Sequence, residues 1–179
     1  MSDSKIIFIT GSSGVGKSTL LKKLKSSLSA EKYAMYDFDE LGVPLDADNG
    51  WRIDTTKIWL AKAEENIKNG ITTIIAGLTY PKEVMNLTNN KNIKFFILKV
   101  SENELRKRLF SYRFSTDERI EKLKKYEGVT PEEFIVNNRK MITIMDNEGK
   151  IYNASFVDTD NLAPDQVAEK IIYSITKNI

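Results

Sequence analysis

The stretch ITGSSGVGKSTLLKKL, residues 9–24, sets a run of glycine and hydroxyl residues between two apolar patterns. Before the loop, residues 5–10 (KIIFIT) are mostly β-branched or aromatic, which predicts a buried strand. After it, leucines recur at helical spacing from Leu20 to Leu28, which predicts a helix that begins near Lys17. A strand, a glycine-rich loop and a helix are therefore expected in that order.

The loop itself matches the phosphate-binding P-loop, or Walker A motif, Gly11-x-x-x-x-Gly16-Lys17-Ser18. Glycines let the backbone wrap so that its N–H groups converge on phosphate oxygens, and the dipole of the following helix favours an anion. Lys17 is expected to reach the β- and γ-phosphates, and the Ser18 hydroxyl to bind Mg²⁺. The residues predicted to contact the nucleotide are Gly11, Ser12, Ser13, Gly14, Val15, Gly16, Lys17, Ser18 and Thr19.

Composition limits the chemistry and the partners of the chain. The net charge of +2 is too small to imply binding to nucleic acid or to a membrane. Cysteine and histidine are both absent, so acid–base chemistry is expected from Asp, Glu, Lys or Tyr. No apolar run is as long as a membrane span, and the N-terminal MSDSK lacks a signal-peptide core. A cytoplasmic monomer or small homo-oligomer is expected.

Apolar strand-like runs alternate with helix-like patterns along the rest of the chain, which predicts an α/β fold with a mainly parallel sheet. Further strands are predicted at residues 33–37, 71–76, 93–100 and 154–157, and helices at 55–69 and from about 101, 115, 130 and 164. Capping-box pairs mark three of the helix starts: Ser101 with Glu104, Ser115 with Glu118, and Thr130 with Glu133. No linker interrupts this pattern, so residues 1–179 are predicted to form one domain.

The arrangement resembles the small P-loop kinases, which include adenylate-kinase-like nucleoside monophosphate kinases and their shikimate-kinase-like and antibiotic-phosphotransferase relatives. The resemblance covers nearly the whole chain, and the P-loop is its sharpest motif. It implies a three-layer fold with a five-stranded parallel sheet in the order 2-3-1-4-5, flanked by helices, and a helical lid at about residues 102–126. It also implies ATP and Mg²⁺ as cofactors and a small-molecule phosphoryl acceptor.

Two carboxylates, Asp37 and Asp39, follow the predicted second strand. Ligands of open α/β sheets bind beyond the carboxyl ends of the strands, so both acids are expected to face the P-loop. The pair resembles the Asp-x-Asp of shikimate-kinase-like proteins. We predict that Asp37 serves the metal together with Ser18, and that Asp39 orients or deprotonates the acceptor hydroxyl. Capping of a turn by these side chains is the alternative.

The strand beside the P-loop strand lacks an acid that many P-loop proteins carry there. Its counterpart, TTIIAG, ends in Ala76 and Gly77. Gly77 is expected to let the backbone approach the substrate. The missing carboxylate leaves open a kinase-like fold that has lost catalysis.

Arginines supply the remaining candidate residues. Phosphoryl transfer requires positive charge around the equatorial oxygens. Arg113 and Arg119 flank the turn of a predicted helix–loop–helix that resembles the lid of nucleoside monophosphate kinases, and both are predicted to be catalytic. Arg52 is predicted to clamp a phosphate or carboxylate of the acceptor, beside a stacking Trp51. For the lid arginines, the alternative is a surface set paired with Glu102, Glu104 and Glu118. For Arg52, it is an exposed arginine beside a tryptophan that packs on a helix.

The sequence thus predicts a kinase for a small molecule, with a nucleoside or nucleoside monophosphate as the expected acceptor and another small hydroxyl compound as the alternative. In similar kinases the loop after the fifth strand lies along the adenine ring, and here that loop is VDTDNLAP, residues 157–164. A nucleotide-dependent switch is the rival class. The Asn-Lys-x-Asp motif that reads guanine in GTPases does not follow the fourth strand, where the chain has KVSENE.

Overall fold

The computed structural model describes residues 5–177. Residues 1–4, which hold most of the stretch examined for a signal peptide, and residues 178–179, the end of the predicted domain, lie outside the described residues. The strands are β1 (Ile6–Thr10), β2 (Tyr33–Asp37), β3 (Thr72–Ala76), β4 (Ile93–Lys99) and β5 (Ser155–Asp158). The helices are α1 (Lys17–Ser27), α2 (Asn49–Lys68), α3 (Pro81–Asn86), α4 (Glu102–Ser111), α5 (Asp117–Glu127), α6 (Pro131–Ile151) and α7 (Pro164–Thr176), with a 3₁₀ helix at Phe38–Leu41.

The five strands form one parallel sheet in the order β2-β3-β1-β4-β5, which confirms the expected topology. Residues alternate between the two faces of a strand, and β1 supplies the core on both. Its Ile7 and Ile9 pack in one apolar cluster with residues of α1 and α7, and its Phe8 packs in a second cluster with Trp59 and Leu60 of α2. Because all five strands are parallel, their carboxyl ends lie at the same edge of the sheet.

Three helix starts differ from the prediction. Helix α2 begins at Asn49, six residues before the predicted start at 55, because the side chain of Asp48 accepts a hydrogen bond from the Trp51 N–H at 2.9 Å. Helix α3 was not predicted at all; it has 6 residues and begins at Pro81. Helix α5 is capped by Thr116 rather than by Ser115, whose hydroxyl instead donates to a backbone carbonyl.

Among residues 5–177, no helix is both long enough and apolar enough to span a membrane. That residues 1–179 form one domain stays a prediction.

Candidate active site

The loop between β1 and α1 owes its shape to glycines with positive φ. Gly14 has φ 79° and Gly16 has φ 108°, a region that side chains with a Cβ rarely adopt. At Gly14 an added Cβ would lie 3.0 Å from Leu109 of α4, so the loop is pressed against that helix. At Gly16 an added Cβ would meet nothing within 4 Å, so the glycine there satisfies the backbone conformation alone.

Lys17 reaches back across this loop. Its Nζ donates to the carbonyl oxygen of Gly11 at 2.7 Å and to that of Ser12 at 2.8 Å. Burial lowers the pKa of Lys17 from 10.5 to about 8, and the nearby charges of Asp39 and Asp37 oppose that shift. The ammonium group is therefore held among backbone dipoles, in a place where phosphate oxygens would be stronger partners.

A cavity of about 760 Å³ opens in front of the loop. Seven of the nine predicted nucleotide contacts line it, namely Ser13, Gly14, Val15, Gly16, Lys17, Ser18 and Thr19. Gly11 and Ser12, at the start of the loop, are buried, and their carbonyl groups accept hydrogen bonds from the Lys17 ammonium. Nucleotide contact by any of these residues stays a prediction.

Asp37 and Asp39 both lie near Lys17, and their contacts differ. Asp37 ends β2, and its Oδ2 lies 3.5 Å from the Ser18 Oγ. Its Oδ1 accepts the Asp39 N–H at 3.1 Å, so Asp37 also caps the 3₁₀ helix, as the alternative interpretation held. One carboxylate can thus cap the 3₁₀ helix with Oδ1 and still offer Oδ2 to a metal ion. Asp39 lines the cavity, and burial raises its pKa, with a further rise from Asp37 and an opposing effect of Lys17.

Ser18 and Asp37 could hold a Mg²⁺ ion. Both offer hard oxygen atoms, and Mg²⁺ in proteins is commonly bound by one or two such side chains with phosphate oxygens and water completing the shell. Their juxtaposition at 3.5 Å beside the P-loop fits that donor set.

Gly77 lies at the carboxyl end of β3, where the usual carboxylate is missing. A Cβ added at Gly77 would overlap the Cβ of Phe38, which is buried against it. The backbone N–H of Gly77 donates to the carbonyl oxygen of Ile9 at 3.0 Å. The close approach expected at this glycine is therefore made by the Phe38 side chain, and substrate binding by Gly77 stays a prediction.

The guanidinium of Arg52 forms a two-point ion pair with a partner that the sequence did not reveal. Its Nε and Nη2 donate to the two carboxylate oxygens of Glu83 at 2.8 and 2.7 Å, and it lies 4.8 Å from the centre of the Tyr80 ring. The hydrogen bonds to Glu83 are the main cause that raises the pKa of Arg52. Trp51 packs edge-on against Phe38. Acceptor binding by Arg52 stays a prediction, and it requires this ion pair to open or to be shared.

The predicted lid at 102–126 divides into two parts. Leu105 and Leu109 of α4 are buried in the core, so α4 is anchored beside the P-loop. Helix α5 contributes one buried residue, Leu123, and the turn before it contributes Phe114. A moving lid is therefore expected over about residues 112–127, a narrower segment than predicted, and its motion stays a prediction.

The two lid arginines have different surroundings. Arg113 lines the main cavity, forms an ion pair with Glu127, and lies 4.6 Å from the centre of the Phe134 ring. Arg119 lines a smaller cavity of about 290 Å³, and its guanidinium contacts the carbonyl oxygen and the ring of Tyr112. Of these two arginines, Arg113 therefore lines the P-loop cavity and Arg119 does not.

Arg108 is a cavity residue that the sequence did not single out. Its Nη2 donates to the Thr159 carbonyl oxygen at 2.7 Å and its Nη1 to the Val15 carbonyl oxygen at 3.3 Å. It thereby joins α4 to the P-loop and to the loop after β5, where an adenine ring was expected. The apolar part of the same wall consists of Leu98, Leu162, Pro164 and Val167. An apolar wall of this kind can contact a flat base. In the sequence, it was indicated only by the position of residues 157–164 after the fifth strand.

Comparison with known proteins places this site in context. A family model described as AAA domain matches residues 7–127, more than half of the chain. A search against curated proteins gave no significant match. Among solved structures, a gluconokinase from Sinorhizobium meliloti 1021 has a TM-score of 0.66 at 14% identity, over 99% of this chain and 94% of that one.

Two further structures have the same fold. The shikimate kinase of Acinetobacter baumannii, solved in complex with shikimate, has a TM-score of 0.64 at 15% identity, over 99% of this chain and 96% of that one. The tunicamycin resistance protein of Deinococcus radiodurans has a TM-score of 0.62 at 18% identity, over 96% of this chain and 95% of that one. At such identities the likeness shows the fold alone.

Proposed function

The chain belongs to the AAA domain family of P-loop NTPases, and we propose that it is an ATP- and Mg²⁺-dependent kinase that phosphorylates a small molecule. The observation that carries the proposal is that Lys17, Ser18 and Asp39 line one cavity, with Asp37 beside Ser18. A carboxylate beside the phosphate site can take the proton of an acceptor hydroxyl, which is the acid–base step that transfer to a small molecule requires.

Each residue has a part in the proposed transfer. Lys17 and the N–H groups of the P-loop would stabilise negative charge on the transferring phosphoryl group. Asp39 would accept the proton of the acceptor hydroxyl as its oxygen bonds to the γ-phosphorus and the bond from that phosphorus to ADP breaks. Ser18 and Asp37 would hold Mg²⁺, which neutralises phosphate charge when bound. Arg113 would add positive charge from the lid side.

The acceptor is proposed in two classes. A nucleoside or nucleoside monophosphate is the class that the sequence favours. A small hydroxyl compound of another kind is the second, because the solved structures with this fold include a gluconokinase and a shikimate kinase. A cytoplasmic location and a monomeric or small homo-oligomeric state are proposed on the sequence alone.

The experiment that tests the proposal measures ADP formation from ATP and Mg²⁺ with a panel of nucleosides, nucleotides and small hydroxyl compounds. Acceptor-stimulated ADP formation, with a matching phosphorylated product seen by ³¹P NMR, is expected for the wild type and not for Lys17→Ala. Stimulation by a protein or nucleic acid alone would instead indicate a switch. ATP hydrolysis that no acceptor changes would indicate an ATPase.

A further inference from the structure

Asn138 on α6 is a fully buried polar side chain that contacts the P-loop across 125 residues of sequence. Its Oδ1 accepts the backbone N–H of Ser13 at 2.9 Å. Its Nδ2 donates to the backbone carbonyl oxygen of Phe134, one turn earlier in the helix, at 2.9 Å. Both polar groups of the side chain are therefore used, one within α6 and one on the loop.

An apolar residue would suit this place better if packing were all that mattered. The other large buried residues of α6, Phe134, Ile135 and Met145, are apolar. Burying an amide costs free energy unless it forms hydrogen bonds, and asparagine is a poor helix former. The bond to the half-buried Ser13 N–H offsets that cost, because it satisfies the amide oxygen of Asn138, which is fully buried.

The bond also sets which loop amides remain for a ligand. Because the Ser13 N–H points at Asn138, the phosphate-binding role falls to the N–H groups from Gly14 onward. The peptide before Gly14 is thereby fixed at the point where the backbone turns to positive φ. A loop held in its binding conformation loses less conformational entropy when a phosphate group arrives.

We infer that Asn138 is a positioning residue for the P-loop: it occupies the Ser13 N–H and holds the phosphate-binding amides in place. The inference rests on the proposed nucleotide binding at this loop. The preceding turn of α6 also contacts the lid, because the Phe134 ring packs edge-on against Phe114 with ring centres 5.6 Å apart. Asn138 thus connects the loop to the helix on which the lid rests.

A matched pair of variants tests this role. Asn138→Ala removes the acceptor for the Ser13 N–H. Asn66→Ala is the control, because Asn66 is also a buried asparagine in a helix, and its Nδ2 donates to the Thr73 Oγ1 at 2.9 Å, away from the P-loop. Asn138→Leu, which refills the space with an apolar side chain, serves if the alanine variant does not fold.

Two readouts are measured on folded protein. Hydrogen exchange of ligand-free protein should speed up at the amides of residues 13–18 in the Asn138 variants and stay at the wild-type rate in Asn66→Ala. The Kd for ATP should rise about fivefold in the Asn138 variants, as expected for one net hydrogen bond, and change by less than about twofold in Asn66→Ala.

The outcomes separate this inference from the proposed function. Unchanged exchange at residues 13–18 in the Asn138 variants would overturn the positioning role, whether or not the protein binds ATP. Faster exchange with an unchanged Kd would overturn it as well, because the bond would then have no effect on the ligand. A wild-type protein that binds neither ATP nor ADP would refute the proposed function, and the exchange comparison would still decide whether Asn138 orders the loop.

Discussion

The Oγ of Ser18 lies 3.5 Å from the Oδ2 of Asp37, so the first turn of α1 and the end of β2 present two oxygen atoms to one point beside the P-loop. The pair comes from residues 19 positions apart, and the parallel sheet brings them together because β2 and β1 end at the same edge.

Asp37→Asn should weaken the use of Mg²⁺ while it preserves the fold. An asparagine oxygen can still cap the 3₁₀ helix, so the change removes charge and little else. We expect the Mg²⁺ concentration for half-maximal activity to rise by about tenfold or more, with partial recovery at high Mg²⁺. Asp46→Asn, which changes an exposed acid of the following loop, is the control. Equal Mg²⁺ dependence in the two variants would leave Asp37 with the capping role alone.

Lys17→Ala should abolish or greatly weaken ATP binding in a protein that remains folded. The ammonium contacts loop carbonyls and not the apolar core, so its loss leaves the packing intact. Isothermal titration with ATP measures the effect. Lys22→Ala, an exposed lysine on the same helix, should bind ATP like the wild type. Unchanged ATP affinity in Lys17→Ala would refute the P-loop assignment.

The pKa of Lys17 adds two trends with pH. In the folded, ligand-free protein it is about 8, below the ordinary 10.5, so between these values the unfolded chain holds more protons. The free energy of unfolding should therefore rise with pH across that interval through this group. ATP affinity should fall above about pH 8, because the phosphates need the charged ammonium. The stability trend should be absent from Lys17→Ala, measured by denaturant unfolding at pH values from 8 to 10.5.

Asp39→Asn should lower turnover with little change in ATP binding. As a general base Asp39 would contribute at least about 100-fold, so a loss of that size in kcat is expected. Because burial raises the pKa of Asp39, wild-type kcat should fall on acidification at a higher pH than for an ordinary carboxyl group. Glu40→Gln, on the same 3₁₀ helix, is the control. A fully active Asp39→Asn enzyme would rule out the base.

Arg113→Ala and Arg119→Ala should each slow phosphoryl transfer by about tenfold or more, a modest share of what an arginine finger supplies. The effect should be larger for Arg113, which lines the main cavity, and ATP affinity should change little in both. Lys124→Ala, an exposed lysine of α5, is the control. Amides of residues 112–127 should gain hydrogen-exchange protection with ATP plus acceptor, while those of α4 stay protected throughout. Identical protection in all states would argue against a lid.

The fold was predictable because its signals are local. Buried parallel strands read as short apolar runs, and the loop at Gly11–Ser18 is contiguous in sequence. Helix α3, with 6 residues, is too short to show a helical period. The early start of α2 depends on a cap at Asp48 in a stretch that otherwise has the composition of a loop.

The site was predictable only where one segment carries it. The bond between Arg108 and Thr159 joins residues 51 positions apart, and the bond between Ser13 and Asn138 joins residues 125 apart. No periodicity or motif encodes such pairs, because their proximity arises from the packing of helices on the sheet.

The contact between Gly77 and Phe38 makes these two positions epistatic. With the backbone as it stands, a related chain could place an aspartate at 77 only if 38 were glycine or the backbone shifted, since a Cβ at 77 would overlap the Cβ of Phe38. The glycine at 77 and the phenylalanine at 38 therefore belong to one packing arrangement. In related chains, the residue at 38 should change wherever 77 is not glycine.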